Sequence, residues 1–240
     1  MKVIQPNCRV QFTAEDVAFI LSALRAGAGQ ARALVELLTE ENSRDLILDD
    51  EALYRALLEQ RGCLPVSARL YFYVLVRRVL REAGIEDRAV ADYVAELLAE
   101  FSRTERLRGG VPGSGTALDY FVDLLAALGA ADERAGFVIH AHIGNYSLFL
   151  AGIFPERLRF RAEIRGSPDL RYYERLGQAS FRVASDHRLA RKYQLTRIFT
   201  TLAERFQAAR LALNDLSNRI LSLGDADYSP LLAGERGSLG

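Results

Sequence analysis

The chain has 240 residues, half of them hydrophobic and about a quarter charged, which excludes a largely disordered protein and provides for a sizeable core without disulfides or metals. The 31 basic and 31 acidic residues cancel, so bulk charge does not drive general polyanion binding. Cys8 and Cys63 lack CxxC spacing and neighbouring histidines, which excludes a disulfide framework and a zinc site.

Helical punctuation recurs along the chain. Thr13 and Asp16 have the spacing of a capping box, with Val17, Ile20, Leu21 and Leu24 following at helical intervals. Gly27 and Gly29 break that run. A second helix is predicted over Gln30–Leu38, with Leu34, Leu37 and Leu38 inward. Asp49 or Asp50 caps a third, with Leu53, Leu57 and Leu58 inward and Gly62 past its end. The long apolar segment Val66–Ala83 follows Pro65 and reads as a central helix, stopped by Gly84. Another helix runs from Asp87 to about Arg106.

The stretch Gly109–Gly115 is the clearest linker. It suggests an N-terminal helical half over 1–108 and a C-terminal half over 116–223, with a flexible tail over 224–240; the halves are also compatible with one domain. Thr116–Leu128 is helical by pattern, and Asp132 caps the next segment. Phe137–Phe154 is the longest apolar stretch, but His140, His142, Asn145 and Ser147 make a membrane span costly, so a buried helix is predicted. A strand over Phe137–His142 is the alternative. Arg157–Ile164 and Asp169–Val183 read as further helices. A last helical run begins near Ser185, with Ser185 and Asp186 as its cap and first-turn charge, and reaches Leu223 either unbroken or with a break. The expected fold is an all-α, irregular multi-helix bundle of about eight to ten helices.

His140, His142, Asn145 and Tyr146 are the candidate pocket. In a helix the two histidines are about 200° apart, whereas on a strand they share a face. His142-Ile-Gly-Asn-Tyr-Ser147 resembles the His-x-Gly-Asn-Trp-Glu stretch of the lipid A biosynthesis acyltransferases, over six residues only. There the histidine is a base oriented by the glutamate. Ser147 at the acidic position removes that partner, and the chain lacks the alternation of strands and helices that this family's fold requires. The bland reading of the segment is a satisfied core histidine.

Region 154–197 carries an excess of arginine interleaved with Phe160, Tyr172, Tyr173, Phe181 and Tyr193. Arg171, Arg175, Arg188 and Arg191 are the candidate anion-binding residues. The alternatives are a solvated surface or pairing with the acidic stretch Glu36–Glu59. No phosphate loop, nucleophile elbow or His-Glu-x-x-His pair occurs. No catalytic residue, metal or cofactor is expected. The favoured reading is a non-catalytic interaction or scaffold protein with a protein partner or a second copy of itself. The alternatives are a nucleic-acid or polyanion binder through 154–197 and a small-ligand protein or enzyme centred on His142. The N-terminus lacks a signal-length apolar core, so a cytoplasmic location and no membrane span are expected.

Overall fold

The computed structural model describes residues 3–59, 66–107 and 117–222. These form an all-α, multi-helix fold without strands: a 3-10 turn at Cys8–Val10 and thirteen helices. In chain order they are α1 (Ala14–Ala23), α2 (Ala28–Thr39), α3 (Glu41–Leu48), α4 (Glu51–Glu59), α5 (Ala68–Glu82), α6 (Arg88–Leu107), α7 (Ala117–Gly129), α8 (Glu133–Ile153), α9 (Pro155–Arg165), α10 (Leu170–Asp186), α11 (Arg188–Lys192), α12 (Thr196–Glu204) and α13 (Phe206–Ser222). The linker Gly109–Gly115 and the tail 224–240 lie outside the described residues.

The helix count exceeds the sequence expectation for two local reasons. Glu40 adopts an extended conformation, so the acidic run after α2 forms a helix of its own, α3. The final run is three helices, broken at Gln194, which takes a φ of 58°, and again at Arg205. Ser185 and Asp186 close α10 instead of opening this run; His187 leaves the helix with extended backbone and caps α11. Phe137–His142 is helical, which removes the strand alternative.

The predicted caps operate as hydrogen bonds. Thr13 Oγ1 accepts from the Asp16 amide at 3.2 Å while Asp16 Oδ2 accepts from the Thr13 amide at 2.8 Å. Asp50 and Asp132 accept from the amides of Ala52 and Ala135, and Asp169, not singled out as a cap in the sequence, accepts from that of Tyr172. Asp16 does more than cap: its Oδ1 accepts from the Ser67 amide at 2.6 Å, tying α1 to the start of α5.

α5 is buried all round from Leu70 to Val76, as its apolar girth requires. It packs on α6, α4 and α13, while α8 packs on α10, α13, α7 and α9. Helices from both sides of the linker thus share one continuous set of buried residues. α2 stays at the periphery: Leu34 and Leu38 are half-buried and Leu37 is exposed, so its predicted inner face is only partly used. The contact of α8 with α10 depends on glycines. A Cβ on Gly144 would lie 2.8 Å from the Phe181 ring of α10, and one on Gly177 would lie 3.0 Å from Ser147 Cβ of α8 as well as 2.4 Å from Phe206 of α13.

Candidate functional site

The helical geometry of α8 separates the candidate pocket residues. His142 faces α6, with its ring 5.8 Å from that of Phe101 and stacked 6.2 Å from that of Tyr146. Tyr146 continues this aromatic cluster to Phe121 at 5.3 Å. Asn145 points elsewhere and accepts a 2.9 Å hydrogen bond from the buried Tyr93 hydroxyl. His142 and Tyr146 therefore sit in aromatic packing, and Asn145 bridges α8 to α6 as a buried polar staple. The acyltransferase-like stretch lies in mid-helix, with Ser147 buried against the close approach of α10.

His140 lies within electrostatic reach of the third histidine, His187, at the start of α11. Glu133, Phe137 and His140 share a helical face because they are four and seven residues apart. The ring of Phe137 stacks on that of His187 at 5.1 Å. His187 Nδ1 accepts from the Leu189 amide at 3.1 Å, which leaves its neutral-form proton on Nε2. That Nε2 is buried 3.5 Å from Glu133 Oε1. Glu133 in turn receives both Nε and Nη2 of Arg188, at 2.7 and 2.8 Å. His140 Nδ1 is buried without a hydrogen-bond partner, and burial together with nearby His187 holds its pKa below the ordinary histidine value. The signal for this cluster was present in the sequence as the 133/137/140 spacing, but nothing there paired it with residue 187.

The four candidate anion-binding arginines are not equivalent. Arg171 and Arg175 lie on the solvent face of α10, and Arg182 joins them within about 40° of helical rotation. The opposite face buries Tyr173, Gly177, Ser180, Phe181 and Ala184. Arg191 and Lys192 are exposed at the end of α11, whereas Arg188 is held by Glu133. The interleaved aromatics divide too: Phe181 and Tyr173 are core, and Phe160 is exposed. The acidic stretch 36–59 takes guanidinium partners from Arg9, Arg32, Arg55, Arg77, Arg78, Arg81 and Arg88. Sequence proximity of charge could not assign those partners.

The strongest electrostatic feature is a buried network at the N-terminal turn. Arg9 bonds Asp45 at 2.8 and 2.9 Å and Asp92 at 3.0 Å. Arg69 grips Glu96 with two bonds, and Arg77 grips Asp49 likewise. The Cys8 amide donates to Asp92 and its thiol to Glu96. Burial, followed by the charges of Glu96 and Asp92, pushes the Cys8 thiol pKa far up, so it stays protonated. Burial also raises Asp92 despite its bonds from Arg9 and Cys8. These carboxylates are occupied by guanidinium groups and join α3, α5 and α6, which is a structural task. Among the described residues no cluster of three histidine, cysteine or acidic side chains is arranged to hold a metal. Among the described residues no single helix is long and apolar enough to cross a membrane.

Comparison with protein families, with curated proteins and with solved structures finds no match.

Proposed function

We propose that this protein is a non-catalytic helical interaction module that receives an anionic partner chain on the outer face of α10 and α11. The observation carrying this reading is a contrast in charge pairing. Arg9, Arg69, Arg77 and Arg210 lie in ion pairs with buried or half-buried acids. Arg171, Arg175, Arg182, Arg191 and Lys192 are exposed without an acidic partner among the described residues. Arg171 to Arg182 spans about 16 Å at 1.5 Å per residue, a length over which a chain of acidic groups gains several contacts at once. The packed aromatic surroundings of His142 and the Tyr93 bond to Asn145 favour a structural task for that segment, in place of a pocket.

The test is fluorescence anisotropy with two probes of matched charge, a single-stranded oligonucleotide and a glutamate-rich peptide. The triple variant Arg171→Glu, Arg175→Glu, Arg182→Glu should lose binding at an unchanged thermal midpoint, because these side chains are exposed and outside the core. If the oligonucleotide is bound, neutralising the three arginines should flatten the logarithmic salt dependence by roughly two. Failure of the native protein to bind either probe would overturn the proposal.

A further inference from the structure

We infer that His187 is a proton-operated latch on the basic face, controlling α11 and the availability of Arg188; this rests on the docking reading above. The geometry gives one imidazole two incompatible tasks. Its Nδ1 lone pair caps α11 by accepting from the Leu189 amide at 3.1 Å, while Nε2 looks toward Glu133 at 3.5 Å. An incoming proton can bind only at Nδ1, where it consumes that lone pair and places an N–H against the Leu189 N–H. The cap bond is lost, and the positive ring faces the positive end of a helix. The cation still has Glu133 beside it, but that carboxylate already holds Arg188 through two bonds. One carboxylate then serves two cations, and the uncapped first turn of α11 carries Arg188 outward.

The charged and titratable surroundings support this assignment. α8 presents Glu133 and His140 to His187, and α11 presents Arg188. Asp186, at the end of α10, is exposed beside it in the chain, as is Arg134 beside Glu133. α12 contributes Phe199, which packs on Phe137, and the titratable Tyr193 at the end of α11 stacks on the same ring at 6.3 Å. Glu133 is thus the acid that holds the cluster, and α11 is short, with five residues and one buried side chain, Ala190. Proton uptake therefore acts where little packing opposes it, and it raises the positive charge of the face that carries Arg191 and Lys192.

The experiment compares the native chain with His187→Asn, whose amide oxygen also caps a helix but does not titrate. Ring nitrogen NMR should show the neutral ring of His187 carrying its proton on Nε2, and both proteins are then acidified from about pH 7.5 to about pH 5.5. Over the same range, amide exchange in α11, corrected for its intrinsic pH dependence, should accelerate about tenfold in the native chain and stay constant in the variant. Equal acceleration in both proteins, or an Nδ1 proton already present at neutral pH, would overturn the latch. Oligonucleotide affinity should rise about threefold more on acidification in the native chain than in the variant, the effect of one added exposed contact. If exchange behaves as described but neither protein binds the oligonucleotide or the acidic peptide, the latch stands and the docking face falls.

Discussion

Three glycines of the same composition have opposite meanings at the scale of single residues. Gly177→Ala places a methyl group 2.4 Å from Phe206 and 3.0 Å from Ser147 Cβ. It should cost about 1–3 kcal/mol, because two packed helices must part. Gly136 sits in α8 with nothing within 4 Å of a Cβ, so Gly136→Ala should stabilise by about 0.5–1 kcal/mol through helix propensity alone. Gly144, at 2.8 Å from Phe181, belongs with Gly177. Urea titration of the three variants checks the sign of each. Tyr93→Phe leaves the buried Asn145 oxygen without its donor and should cost about 1–3 kcal/mol, with no effect on the distant arginine face. The apolar environment of residues 144–147 was legible in the sequence, but the partner residues were not, because each lies on another helix.

At the scale of elements, three helix ends share one backbone solution with different occupants. α5 ends with Gly84 in the left-handed region; its amide donates to Arg81 and the next amide to Leu80. The same pair of bonds closes α1 around Arg25 and α11 around Gln194, both with positive φ. A side chain in this conformation is strained, so Gln194→Gly and Arg25→Gly should each stabilise by about 0.5–1 kcal/mol, read as a raised thermal midpoint. The end at Gly84 was legible because glycine marks it. The end of α1 was misplaced onto Gly27, which instead precedes α2 with extended backbone, since no local signal announces an arginine in a left-handed turn. The junction of α10 and α11 escaped for a related reason: histidine is an unusual cap, and Ser185 and Asp186 offered more familiar ones.

For the whole molecule, the ion network at the N-terminal turn sets the acid limit of stability. Burial pushes Asp49 up, but the bonds and charges of Arg77 and Arg88 outweigh it and hold its pKa below the usual carboxylate value. Glu96 behaves likewise, with burial outweighed by the bonds from Arg69 and Cys8. A carboxylate lowered on folding stabilises above its unfolded pKa, about 4, and that contribution is lost as pH falls through the folded value. Asp92 is shifted the other way, so its protonation comes first and does not itself weaken the fold. The thermal midpoint should therefore hold to about pH 4 and then drop steeply, and Asp49→Asn should flatten the drop. Buried Cys8, held protonated, should resist alkylation in a Cys63→Ser background until the protein unfolds.

Helical periodicity, capping residues and the all-apolar girth of residues 70–76 pointed by themselves to an all-α bundle with α5 at its centre, and the tertiary structure settled Phe137–His142 as helix. Those features act within a few residues, so a single sequence displays them. Only the tertiary structure decided that Asp45, Asp49, Asp92 and Glu96 are neutralised by guanidinium groups, and that Arg171, Arg175 and Arg182 are left facing solvent. It also decided that His187 meets Phe137 and Glu133, while His142 meets Phe101 and Tyr146. The physical reason is range: periodicity turns a side chain toward a face, but the packing of distant helices selects which charge, ring or lone pair it meets there.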